Sequence, residues 1–147
     1  MKIGVTGPSN IRYLDDIDLE AEDIISDLAR VVAQEGHEIL ITPEKGSASE
    51  FFAQKYKEHD GKNIYEVVPL DDKEFGYYWV NNSDILLCIG YDDKVLGEIV
   101  YAKCFSKKVY VIRELISGEL PKEINRIIDL KYILSSKIRQ ELKSLAA

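Results

Sequence analysis

The stretch Ser83-Asp84-Ile85-Leu86-Leu87-Cys88-Ile89-Gly90 decides the fold. Its apolar centre does not alternate with polar residues, so both faces of the segment have to be covered, as in an interior strand of a parallel sheet. Asn81-Asn82-Ser83 leads into it and Gly90-Tyr91-Asp92-Asp93 leads out, and the following residues predict a helix over 95–105.

The same alternation of strand and helix continues outward in both directions. Upstream, Lys2-Ile3-Gly4-Val5-Thr6 predicts a first strand that exits through Gly7-Pro8-Ser9-Asn10. Leu19, Ile24, Ile25, Leu28, Val31 and Val32 then recur at three- and four-residue intervals and predict a helix over 19–35. Asp15, Asp16 and Asp18 suit its positive end, and Gly36 stops it. A second strand is expected over 38–42, a loop over 43–47, a helix capped by Ser47 or Ser49 through His59, and a third strand over 63–69. The aromatic-rich 70–80 reads as either a short helix or an ordered loop.

Downstream, 108–112 predicts a fifth strand and 121–130 a helix with Pro121 in its first turn. Tyr132-Ile133-Leu134 reads as a strand or a turn, and a last helix begins at Ser136. This order predicts an α/β fold, a three-layer Rossmann-like open, mainly parallel sheet of five or six strands with helices on both faces. With no linker, repeat or low-complexity tract in between, one domain over 1–147 is expected.

Composition narrows the partners. Nineteen Lys and Arg face 26 Asp and Glu, for a net charge of −7, and the longest basic run is the pair Lys107-Lys108, which argues against a nucleic-acid backbone as partner. No apolar run approaches the roughly 18 residues a membrane span needs. The opening strand pattern in place of a secretory leader points to the cytoplasm. Cys88, inside an apolar run, and Cys104, in a helical pattern, read as buried or half-buried thiols. His37 and His59 have no cysteine pair at ligand spacing and read as surface or cap residues, so neither a metal nor a cofactor is expected.

In a parallel sheet the ligand lies beyond the carboxyl ends of the strands, where strand order reverses. The loops to inspect are 7–13, 43–49 and 90–98, each with a glycine beside polar residues leading toward a helix. Such loops aim backbone N–H groups and a helix dipole at an anion, so phosphate is the natural ligand class. Gly7, Pro8, Ser9, Gly46, Ser47, Gly90, Tyr91 and Gly97 are the backbone candidates, and Arg12, Lys45 and Arg113 the candidate cations. After the first strand stands Gly4-Val5-Thr6-Gly7-Pro8-Ser9, which is not the G-x-G-x-x-G fingerprint of a dehydrogenase. The P-loop and the G-x-S-x-G elbow are missing too, which argues against P-loop kinases and serine hydrolases.

What remains is acidic: Asp92, Asp93 and Glu98 crowd the loop and helix start after the fourth strand. A carboxylate there can bind ribose hydroxyls, stabilise charge at an anomeric carbon or attack it. Glu98 is the candidate catalytic group; the competing reading is a glutamate placed at a helix N-terminus by the dipole. Tyr77, Tyr78 and Trp79 either stack on a base or fill the core.

Residues 1–115 resemble the Rossmann-like SLOG superfamily of Lonely-guy phosphoribohydrolases, lysine-decarboxylase-like proteins and the DprA domain. The resemblance rests on Lys2-Ile-Gly-Val-Thr-Gly-Pro-Ser9, on 36–69, and on Ser83 to Gly90 followed by Gly97-Glu98 and Tyr101-Ala-Lys103. In that superfamily a Pro-Gly-Gly-x-Gly-Thr-x-x-Glu motif binds a nucleotide phosphate and the ribose. This sequence keeps Gly90 and Glu98 but carries Tyr91 to Leu96 between them, and has Thr42-Pro43-Glu44-Lys45-Gly46-Ser47 in place of the second glycine-rich loop. The resemblance implies binding of a nucleotide or phosphorylated nucleoside, with cleavage of its N-glycosidic bond through Glu98. Nucleoside deoxyribosyltransferases are similar in outline, with Glu98, Tyr101 and Ala102 standing at their motif; a non-catalytic nucleotide sensor is the further alternative. Val100, Tyr101 and Phe105 spread over more than one side of their helix, from which a homodimer is expected.

Overall fold

Successive residues of a strand point to opposite faces, and here both sets are apolar along the central strands. The strands are β1 (Lys2–Thr6), β2 (Glu38–Ile41), β3 (Ile64–Glu66), β4 (Ile85–Cys88), β5 (Lys108–Ile112) and β6 (Leu130–Ile133). The helices are α1 (Ala21–Gln34), α2 (Ala48–Glu58), α3 (Tyr78–Asn81), α4 (Asp93–Cys104), α5 (Lys122–Asn125) and α6 (Ile138–Ala146). This computed structural model describes residues 1–15, 20–42, 44–67, 78–126 and 130–146, with the backbone alone at Tyr78.

All pairings are parallel, and the sheet order is β3-β2-β1-β4-β5-β6. Ile3, Val5, Ile39, Ile41, Ile85, Leu87, Tyr110, Ile112 and Ile133 face one core, shared with α1, α2 and α6. The intervening Leu40, Leu86, Cys88, Val109 and Val111 face a second core with Trp79 and Val80 of α3, Val95, Ile99 and Ala102 of α4, and Ile124 of α5. Burying each large aliphatic side chain contributes roughly 1.5–3 kcal/mol, which is why an unbroken run such as Ile85–Cys88 belongs at the centre of the sheet. The Rossmann-like α/β architecture expected from the sequence is the one observed, with six strands, all parallel.

Several element boundaries differ from the sequence expectation. β3 spans Ile64–Glu66, and as an edge strand it pairs on one side only. The expected helix over 121–130 contracts to Lys122–Asn125, because Leu130 and Tyr132 turn toward the second core with a period of two and open β6. α4 begins at Asp93, since the Asp92 side chain caps it. Trp79 packs in the second core and so follows the core reading. Cys88 is buried, but Cys104, at the last residue of α4, is exposed. His37 is not a surface residue: only 5 % of it is exposed, and burial holds its imidazole below the ordinary pKa. His59 is the C-cap of α2. The expectations at Asp16, Asp18, Leu19, Pro43 and Tyr77 lie outside the described residues.

Among the described residues no helix is long and apolar enough to cross a membrane. Nor do three or more His, Cys, Asp or Glu gather there as a metal site.

Candidate functional site

From β1 the chain builds the sheet toward β2 and β3, and from β4 it builds toward β5 and β6. Strand order therefore reverses between β1 and β4, and the loops that leave them stand at the switch point where such sheets take ligands. One further backbone bond, Ile89 N–H to Thr6 O at 2.8 Å, ties the two strands before they separate.

Both glycines beyond that bond are there for close packing. A Cβ on Gly7 would lie 2.8 Å from Ile89 Cγ1 and 2.9 Å from Ala48 Cβ. Gly90, at φ +136°, would bring one to 2.7 Å from Pro8 Cδ. The loops thus close on one another at their base, with Gly7, Pro8 and Gly90 buried and Ser9 half-buried.

Asp92 holds this junction. Its Oδ1 accepts from Val95 N–H at 3.0 Å, capping α4, and its Oδ2 accepts from Ser9 N–H at 2.9 Å. An acid in that position satisfies helix-end donors, and it occupies amides that the sequence reading offered to a ligand anion. The neighbouring loop is also bonded internally: Ile11 N–H to Gly46 O at 2.9 Å, Ala48 N–H to Pro8 O at 3.0 Å and Gly46 N–H to Glu50 Oε1 at 3.2 Å. Ser47, buried, accepts from Glu50 N–H at 3.1 Å and caps α2, while Ser49 donates to Val5 O.

Glu98 lies beneath these loops. Because α4 starts at Asp93, Glu98 falls in its second turn and not at the dipole end, which removes the helix N-terminus reading. Thr6 is in register with Cys88 on the face that α4 covers, and its hydroxyl donates to Glu98 Oε2. Only 3 % of Glu98 is exposed. Burial pushes its carboxyl up to about 7, against the Thr6 hydrogen bond and the Lys94 charge, which pull it down, while Asp92 and Glu44 add to the rise. Cys88, whose thiol donates to Gly90 O at 2.9 Å, is pushed up to about 12, first by burial.

Lys94 Nζ, in the first turn of α4, stands 2.9 Å from Glu44 Oε2. The three cations named from sequence stand elsewhere or in the open. Arg12 is exposed on the turn after Asn10. Lys45 lines a groove of about 420 Å³ between α2 and the ends of β2 and β3. Arg113 sits over the Tyr132 ring at 5.6 Å. Tyr91, Asp92 and Gly97 are half-buried and Asp93 and Gly46 are exposed. Of the residues expected to pair two copies, Val100 is exposed, while Tyr101 and Phe105 are half-buried with ring centroids 6.2 Å apart.

The site thus contains three residues that the sequence reading passed over: Thr6, Lys94 and Glu44. Lys94 was accessible through its spacing, since residues four apart share a helix face; the Glu44 contact depends on tertiary folding.

Together these features define a doubly wound, all-parallel α/β protein with a buried carboxyl at its switch point. Its solved relatives in fold include the molybdenum cofactor carrier protein of Chlamydomonas reinhardtii, at 16 % identity and a TM-score of 0.79, covering 99 % of this chain and 98 % of that one. The molybdenum cofactor binding protein of Rippkaea orientalis is similar at 18 % identity and a TM-score of 0.75, covering 99 % and 97 %. A structural-genomics target, TM1055, is similar at 18 % identity and a TM-score of 0.75, covering 97 % and 98 %. At these identities the likeness establishes a shared fold over nearly the whole length. No protein-family model matches the chain, and no curated protein matches it by sequence.

Proposed function

We propose that this chain binds and holds a small phosphorylated heterocycle, a nucleotide or nucleoside phosphate, in the crevice between the β1 and β4 loops, as a binding member of the superfamily its sequence resembles. The observation that carries this reading is the Thr6–Glu98 contact, which sets a buried polar pair where the strand order reverses.

Holding is favoured over cleaving by the state of Glu98. A carboxylate that attacks or stabilises an anomeric carbon has to be ionised and in reach of it. Glu98 is buried and engaged by Thr6, and burial raises its carboxyl to about 7, which disfavours the ionised form. Proteins of the same fold that are named for carrying or binding the molybdenum cofactor support a holding role and add that cofactor to the probes. Calorimetric titration with nucleoside 5′-monophosphates and with the molybdenum cofactor, together with an assay for released base, tests the reading. Saturable binding without base release supports it; no binding of either probe class overturns it.

A second reading, N-glycosidic hydrolysis or deoxyribosyl transfer, has one observation in its favour. A carboxyl titrating near 7 is matched to proton transfer at neutral pH. Base release by the wild type that disappears in Glu98→Gln, with binding retained, would establish it over simple holding.

A further inference from the structure

We propose that Lys94 is the cation that receives the ligand's phosphate, and that Glu44 holds its ammonium in reserve while the crevice is unliganded. The inference rests on the binding reading above and names the group that would make that site selective for a phosphate ester.

The Ser9 and Val95 amides, which would otherwise face an incoming anion, are committed to the Asp92 carboxylate, and the Gly46 amide to Glu50. With these three amides engaged, a side-chain cation is the group that would add phosphate selectivity at this site. Arg12 is exposed on the turn after Asn10, Lys45 borders the groove beside α2, and Arg113 sits over the Tyr132 ring. Lys94 stands on the same helix as Glu98, one turn before it, and its charge pulls the Glu98 carboxyl down.

Its position fits the role. Lys94 is in the first turn of α4 and four residues before Glu98, so the two share a face. Glu44 follows β2, α4 follows β4, and β1 runs between those strands. The 2.9 Å ion pair consequently links the segments that follow the two strands flanking β1. The Lys94 side chain is 26 % exposed and that of Glu44 is 44 % exposed, so solvent screens the pair. Exchange of one carboxylate for a dianionic phosphate costs such a pair little.

The test compares nucleoside 5′-monophosphates with the matching nucleosides on the whole chain. Wild type should bind the monophosphates more tightly. Lys94→Met should lose tenfold or more in monophosphate affinity while nucleoside affinity is unchanged, and Lys94→Arg should restore most of the loss. Glu44→Gln should tighten monophosphate binding several-fold, a gain that a merely structural ion pair would not give. Monophosphate binding by Lys94→Met equal to wild type overturns the inference and leaves the binding reading standing, as does an equal loss for both ligands. Wild type that binds neither ligand overturns the inference together with the reading beneath it.

Discussion

Thr6, the last residue of β1, and Glu98, in the second turn of α4, are hydrogen-bonded side chain to side chain at the point where the sheet changes direction. Neither residue is more than 3 % exposed. The contact joins a strand and a helix 92 positions apart in sequence, and it makes the charge state of one carboxyl a matter for the stability of the fold.

The first consequence is a pH dependence. Glu98's folded pKa of about 7 lies above its ordinary 4.5. Its contribution to stability is therefore full below the unfolded value and is lost as pH rises through the folded one. A displacement of this size corresponds to about 3 kcal/mol. Glu98→Gln cannot titrate, so its stability relative to wild type should climb by about that amount between about pH 5 and about pH 8 in urea titrations. A difference that stays constant with pH would contradict the burial argument.

Thr6→Val keeps the shape and removes the hydroxyl. The hydroxyl bonds the ionised carboxylate more strongly than the neutral acid, so the cost should be about 1–2 kcal/mol and larger above neutrality. The Glu98 titration, followed by carboxyl-carbon NMR, should move further upward. A downward movement would show that Thr6 does not favour the ionised form.

Asp92→Ala should destabilise by about 1–2 kcal/mol in thermal denaturation through loss of the α4 cap, while Asp92→Asn should retain most of the stability. An alanine variant as stable as wild type would mean that the Ser9 and Val95 bonds contribute nothing.

Gly90 and Gly46, two of the glycines with positive φ, separate packing from backbone strain. Gly90→Ala meets both a φ of +136° and a 2.7 Å approach to Pro8 Cδ, and should cost at least about 2 kcal/mol. Gly46→Ala, at φ +79° with nothing within 4 Å of its Cβ, should cost about 1 kcal/mol. Chemical denaturation of both variants checks the order, and equal costs would remove the packing explanation for Gly90.

How much of this was legible follows from which signals are local. Ile85–Cys88 and Lys108–Ile112 announce buried strands because both of their faces are apolar, and the strand-helix alternation then directs attention to the loops after β1 and β4. Glu98 stood out from its spacing behind Gly90. Its burial did not, because the start of α4 depends on whether Asp92 caps the helix or faces a ligand. His37 and Cys104 differ from the sequence expectation for a related reason: a turn after Gly36 and a helix end near Phe105 each fix a side chain's depth only once neighbouring layers are in place. The Lys94–Glu44 pair joins the first turn of α4 to the segment after β2, whose proximity comes from the sheet order, which periodicity does not encode.

The most direct measurement is amide NMR during titration with nucleoside 5′-monophosphates. Shifts concentrated at Thr6 to Asn10 and Gly90 to Glu98 are predicted, saturating with ligand while no free base forms. Shifts that are absent, or confined to the groove lined by Ile41, Ala53, Lys57 and Glu66, would contradict the assignment of the ligand to the crevice between β1 and β4.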